Sequence, residues 1–372
     1  MATAETASRP ALERRLPISQ IVLWAVGLVL AALIGYWLIK NAIDSPDRFL
    51  EVTLIGVTNG SIYALVALGY TLVYGIIELI NFAHGDNFML GTFQTNGIVN
   101  NGSFQIPFFP TSFVLAIPLG AAATAHSSGA QKAYTIFMCL VFSMLFCMVI
   151  NVSIERIGYK PLRNQPRLVP LITAIGFSFI LQDIGLVWKG AGPQPLPNIL
   201  PTGDIFSWRA ASYSWDDFIV IAVTIPLLIA LTYLVRRTRS GKAMRATAQD
   251  MDASSMMGIN VDRTISFTFA LGGALAGAAG AIYALYIGTT KFDLGFRLGL
   301  FAFTAAVLGG IGNLSGAVLG AVTIGLIQAF NEGLSWFTPG SDWTRSIIFG
   351  VLIAILVFRP QGLLGEQTSD RA

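Results

Sequence analysis

The chain has 372 residues, of which 54% are hydrophobic and 12% charged, and its mean hydropathy is +0.67. That balance excludes an ordinary soluble domain. The formal charge of +3 comes from basic residues that gather beside apolar runs rather than in one tract, so they read as topology markers and not as a nucleic-acid surface.

Residues 1–17, with Arg9, Arg14 and Arg15, read as a cytoplasmic tail. The run Ile18–Ile39 that follows exceeds the usual core of a secretory signal, which predicts an uncleaved first helix. Leu50–Ile77, Ala133–Ile154 and Thr264–Gly288 likewise reach the roughly 20 apolar residues needed to span a hydrocarbon core. Backbone polar groups in lipid must be satisfied internally, and these runs are continuous rather than alternating, so helices are predicted in preference to a closed barrel.

After Ile77 comes "ELINFAHGDNFML", Glu78–Leu90, which sets polar groups among Leu, Ile, Phe and Met. Such groups are tolerated at membrane depth when they face the bundle interior or a wet path. Asn81, His84 and Asp86 are therefore candidates for a translocation path, with Gly85 allowing a break and Asn87 beside them. The alternative is a helix break near the interface that touches no cargo. Phe104–Ala123 is interrupted by Pro107, Pro110 and Pro118.

Cys139 and Cys147 share one apolar run and read as small buried hydrophobes, so neither a disulfide nor a metal framework is expected. The stretch from Ser153 to Arg167 carries Arg156, Lys160, Arg163 and Arg167 against the single acid Glu155, and Arg236–Arg245 carries five basic residues and no acid. Both are predicted to be cytoplasmic. Between them Leu168–Trp188 and Phe218–Val235 make two crossings, leaving "KGAGPQPLPNILPTGDIFSWRAASYSWDD" as an external cap. Thr264–Gly288, Phe296–Ile311, Ser315–Phe330 and Arg345–Phe358 then return the tail, 359–372, to the cytoplasm.

Parity fails in the first half. Five apolar stretches lie between two cytoplasmic positions, so either Leu79–Val99 or Phe104–Ala123 must be re-entrant or discontinuous, buried in protein or lining a wet cavity. The expected fold is all-α and polytopic, with about 8–10 transmembrane helices across residues 18–358.

The segment 243–260, within "GKAMRATAQDMDASSMMGINVDR", is predicted to form a short amphipathic cytoplasmic helix. Met244, Ala248, Met251 and Ser255 share one stripe, and Arg245, Gln249 and Asp252 another. Gly258 is placed to stop it in the left-handed conformation, and Asn260 or Asp262 to cap the next span. Beyond it, Gly272, Gly273, Gly277 and Gly280, and later Gly309, Gly310, Gly312 and Gly316, form small-residue stripes that let helix backbones approach closely. Asn313 and Ser315 suit a tight turn.

Taken together, "LINFAHGDNFMLGTF", "ERIGYKPLR", "LITAIGFSFILQD", "RATAQDMDASSMMGINVDR", "AFTAAVLGGIGNLSGAVLG" and "RPQGLLG" resemble, in order from Val57 to Gly365, the LivH-type permease. That family is the membrane subunit of branched-chain amino acid ABC importers. The resemblance implies a second permease subunit (LivM-like), two cytoplasmic ATPases, an external solute-binding protein and a bacterial inner-membrane location, with no cofactor. It also implies that Asp252-Ala253-Ser254 and Gly258 correspond to the importer signature Glu-Ala-Ala then Gly, so that Arg245, Asp252, Ala253, Ser254, Gly258 and Asn260 belong to an ATPase-coupling loop. The signature's Leu-Pro is replaced by Ala270-Leu271, and two regions, the N-terminal span and about Asn100–Lys132, look longer than the family core.

The chain contains no phosphate loop, since Gly241-Lys242 is followed by Ala243. Urea or amide import is an alternative substrate class. An ion-coupled carrier would need paired discontinuous helices. An intramembrane hydrolase would use His84 as base or metal ligand, but neither His84 nor His126 lies in a zinc or nucleophile-elbow motif.

Overall fold

A computed structural model describes residues 18–107, 127–163, 165–166, 168–208, 211–359 and 361–365. His126 and most of Phe104–Ala123 lie outside the described residues. The long helices are α1 (Ile18–Asp44), α2 (Pro46–Ile77), α3 (Ala83–Asn101), α4 (Gly129–Ile154), α6 (Leu168–Lys189), α7 (Trp215–Arg237), α10 (Val261–Ile287), α12 (Leu314–Gly333) and α13 (Ser341–Phe358). Shorter pieces are α5 (Lys160–Leu162), α8 (Arg239–Gln249), α9 (Met251–Met256) and α11 (Leu294–Gly309). Among the described residues eight helices are long and apolar enough to cross a membrane. α3 is too polar and α11 too short to be counted with them.

The bundle is organised around α2, α3 and α10. α2 and α12 run antiparallel at close range: a Cβ on Gly60 would lie 2.6 Å from the Val322 Cα, and one on Gly325 would lie 2.3 Å from the Gly60 amide nitrogen. α10 meets α4 in the same way, with Gly273 against the Cys147 carbonyl and Gly277 against the Ser143 carbonyl. Lipid tails supply no hydrophobic drive for such pairs, so backbone proximity and dispersion hold them.

α3 resolves the parity problem. It is buried without interruption from Ala83 to Val99, and it runs from the face bearing the basic loops, where the Tyr159 hydroxyl donates to the Ile80 carbonyl (3.4 Å), to the opposite face, where Asn96 donates to the Pro195 carbonyl (3.1 Å). Leu79–Val99 is therefore a complete crossing. The chain then reverses at Gly102, whose φ is +62°, and Gln105 folds back against Gly97 and accepts from the Lys189 ammonium at 2.7 Å. α4 starts again on that face, so α1 to α4 close the count as four crossings.

Three expectations are corrected. The break before α3 falls at Glu78–Phe82, with Glu78 left-handed at φ +51°. Gly85 sits inside the helix and serves close packing instead: a Cβ there would lie 2.6 Å from the Gly295 carbonyl oxygen and 2.8 Å from the Gly299 Cα. The 243–260 segment is two helices, not one, because Asp250 leaves helical geometry and its carboxylate caps α9 by accepting from the Ala253 amide at 2.9 Å. The proposed stripe through Met244 and Met251 is thereby cut, and the buried positions of α8 are Gly241, Met244 and Thr247.

The third correction concerns α11, which is not a simple crossing. Its 16 residues rise about 24 Å, short of a core of about 30 Å. An extended piece supplies the difference: Thr289–Thr290 (β4) pairs antiparallel with Gln194–Pro195 (β1) from the cap. The helix begins deep in the bundle, with Gly295 against Asp86 and Met89. In the cap, Asp204–Trp208 (β2) pairs with Ala211–Ser214 (β3). Leu196, Ile199 and Leu200 are buried with Ile98, Val99 and Leu285.

Candidate translocation and coupling sites

The polar cluster of α3 is sealed on nearly every side. The Asn81 side-chain amide donates to Oδ1 of Asn151 (3.3 Å), whose Nδ2 donates to the Phe269 carbonyl (2.6 Å). His84 lies edge-on to Tyr70, ring centroids 4.8 Å apart, and fills the space a Cβ on Gly69 would need. The Asp86 carboxylate accepts from the Ser178 hydroxyl of α6, and Asn87 donates to the Cys147 carbonyl at 3.0 Å. All four are essentially unexposed.

Among the described residues, both His84 ring nitrogens and one carboxylate oxygen of Asp86 have no hydrogen-bond partner. Asn81 lines a cavity of about 10 Å³ with Tyr70, Tyr74, Ile80, Phe303, Ala306 and Ile311, room for about one water. Of the cluster only Asn81 reaches that cavity. His84, Gly85 and Asp86 are enclosed by α2, α6 and α11 in this conformation.

The glycine positions fall at helix contacts or turns. Gly272 lies against the Gly69 carbonyl, Gly280 against the Phe88 carbonyl, and Gly309 and Gly316 against each other's carbonyls. Gly310 and Gly312 have φ of +106° and +93° in the turn between α11 and α12, where Asn313 caps α12 by accepting from the Gly316 amide at 3.1 Å.

On the basic face, α8 and α9 form a platform tied to the spans. The Arg245 guanidinium donates to the Val235 carbonyl, Ser254 is buried and its carbonyl accepts from the Ile259 amide (3.1 Å), and Gly258 has φ +82°. Asn260 accepts from the Arg263 amide at 2.9 Å, capping α10. Met256 and Met257 are 84% and 83% exposed, while Asp252 and Ala253 are also at the surface. A cleft of about 420 Å³ beside this turn is lined by Ser240, Ala243, Ile259, Asn260, Arg263, Thr264 and Phe267.

Sequence reasoning treated Glu155 only as the lone acid of a basic loop, yet it anchors this face. Its side chain is fully buried, pairs with Arg163, and accepts from the Ser266 hydroxyl at 2.7 Å. Arg163 also pairs with Asp262 at 2.5 Å, as does Lys160 at 2.8 Å. The network fastens the π-helical turn Glu155–Tyr159 and α5 to the first turns of α10. Arg297 is the single charged residue of "LGFRLGLFAFTAAVLG", a signal visible in the sequence itself.

A polytopic helical bundle with one buried polar helix, one interrupted crossing and a helical loop tied to the spans on its basic face defines an integral membrane protein. Residues 52–357 match the family described as branched-chain amino acid transport system / permease component. The high-affinity branched-chain amino acid transport system permease protein BraD of Pseudomonas aeruginosa is 36% identical over 87% of this chain and 98% of its own length. The corresponding permease protein LivH of Escherichia coli K12 is 36% identical over 87% of this chain and 97% of its own. The chain belongs to this permease family, as its sequence motifs had suggested.

Proposed function

We propose that this chain is the translocation subunit of an ATP-driven importer for branched-chain or similar apolar amino acids in a bacterial inner membrane. It works with a second permease subunit, two cytoplasmic ATPases and an external solute-binding protein. The observation that carries the reading is the α8–α9 platform: exposed methionines on a loop whose two ends are fixed into α7 and α10. Methionine surfaces adapt to a partner groove, and a loop fixed at both ends transmits a push where a slack one would absorb it. Met251, Met256 and Met257 supply the apolar contact, and Asp252 and Ala253 its rim.

The interrupted α11 crossing is a feature that an ion-coupled carrier would also show, but such a carrier has no use for the platform. The test is uptake of labelled L-leucine into liposomes holding the full assembly. Uptake that requires ATP inside the ATPase compartment and survives dissipation of ion gradients supports the proposal. Gradient-driven uptake without ATP overturns it, and uptake of urea or acetamide in place of leucine moves the substrate to the alternative class.

A further inference from the structure

Arg297 is an exposed cation at membrane depth. Twelve residues separate it from the end of α11 at Gly309, about 18 Å along the helix, which places it near the middle of the core. It stands in the first turn of α11, where the helix dipole disfavours a positive side chain. Among the described residues it makes no ion pair. Asp293, one turn earlier, pairs with Lys291 at 3.4 Å, and Glu332 accepts from Thr344 at 2.8 Å. A cation left against hydrocarbon is costly, so such a residue faces water, cargo or a partner.

Phe301, one turn on from Arg297 and on the same side of α11, meets Tyr63 of α2 with ring centroids 6.2 Å apart. Tyr63 is held in place by its hydroxyl, which donates to Gln328 of α12 at 2.5 Å. Tyr283 of α10, packed edge-on against Phe88 at 5.6 Å, is the second phenol within electrostatic reach of the guanidinium. Phe296, 48% exposed, adds apolar surface beside it.

Resting on the amino acid reading above, we infer that Arg297 is the carboxylate-recognition residue of the translocation path, receiving the α-carboxylate of the cargo at the interrupted end of α11 while Phe296 receives its apolar side chain. A guanidinium pairs with a carboxylate through two parallel hydrogen bonds, and the positive end of the α11 dipole favours the same anion. The path thus runs along α2, α10 and α11 on the face carrying Arg297, not through the sealed interior of α3.

The test uses the complete transporter in liposomes, with Arg297→Gln and Arg297→Lys. Two quantities are measured: uptake of L-leucine, and equilibrium binding of L-leucine against L-leucinamide to the permease–ATPase complex without the binding protein. The wild type should prefer leucine. Arg297→Gln should abolish that preference and lower uptake at least tenfold while the subunits still assemble, and Arg297→Lys should fall between. Uptake by Arg297→Gln within twofold of wild type with the preference intact overturns the inference. So does loss of the second permease subunit from Arg297→Gln that is repaired by neutralising an acid in that subunit, which would make the arginine an interface cation. A wild type that carries urea but not leucine overturns the amino acid reading itself, and the inference with it.

Discussion

Gly258 separates conformational strain from steric clash more cleanly than any other position in the platform. A Cβ built there meets nothing within 4 Å, while its φ is +82°. Substitution therefore introduces no overlap, and its whole cost is the left-handed backbone, roughly 1–2 kcal/mol for a residue with a Cβ. That lowers the population of the correctly bent turn by about 5–30-fold relative to other conformations. Gly258→Val should reduce leucine transported per ATP hydrolysed several-fold, with expression, assembly and helix content unchanged. Gly258→Asn, which accepts the left-handed conformation, should remain close to wild type. The assay is uptake and ATP hydrolysis measured on the same liposomes. A valine variant with normal coupling, or an asparagine variant as impaired as valine, would refute the claim that this torsion directs Met256 and Met257 toward the ATPase.

Gly277→Val should be damaging by the opposite mechanism, since its Cβ would lie 2.2 Å from the Ser143 carbonyl oxygen. Separating α10 from α4 should cost about 1–3 kcal/mol, read as a lowered melting temperature in detergent, whereas Gly176→Ala, with nothing within 4 Å, should leave it unchanged. Glu155→Gln should destabilise by about 1–3 kcal/mol, less than a fully isolated buried charge would because Arg163 keeps Asp262. Thermal unfolding of Glu155→Gln beside a Glu155→Gln/Arg163→Met double variant checks this, the double recovering part of the loss. In a background without Cys139 and Cys147, cysteines at Asn81, His84 and Asp86, all essentially unexposed, should resist a water-soluble thiol reagent in this conformation, while a cysteine at Met257, 83% exposed, should react readily. Reactivity at the three buried positions equal to that at Met257 would contradict the enclosure of α3.

The sequence alone determined the fold class, because apolar runs of spanning length admit only helices in lipid and arginine bias orders them. It also narrowed the cap at the start of α10 to Asn260 or Asp262, of which the structure selects Asn260, and it placed the left-handed turn at Gly258, since such signals act through a residue's own side chain or backbone within a few positions. The platform's division at Asp250 was written there too, in an aspartate able to cap the helix after it, but helical periodicity carried across it. What lay beyond reach depended on residues distant in the chain. Whether Leu79–Val99 crosses was decided by α4, α6, α10 and α11 together enclosing α3, which allows a helix too polar for lipid to run the full depth. The role of Gly85 was likewise settled by Gly295 and Gly299 on another helix. The interruption before α11 depends on Thr289–Thr290 pairing with Gln194–Pro195, about 95 residues earlier. A single sequence shows which groups cannot face lipid, and only the packed bundle decides which neighbour shields each of them.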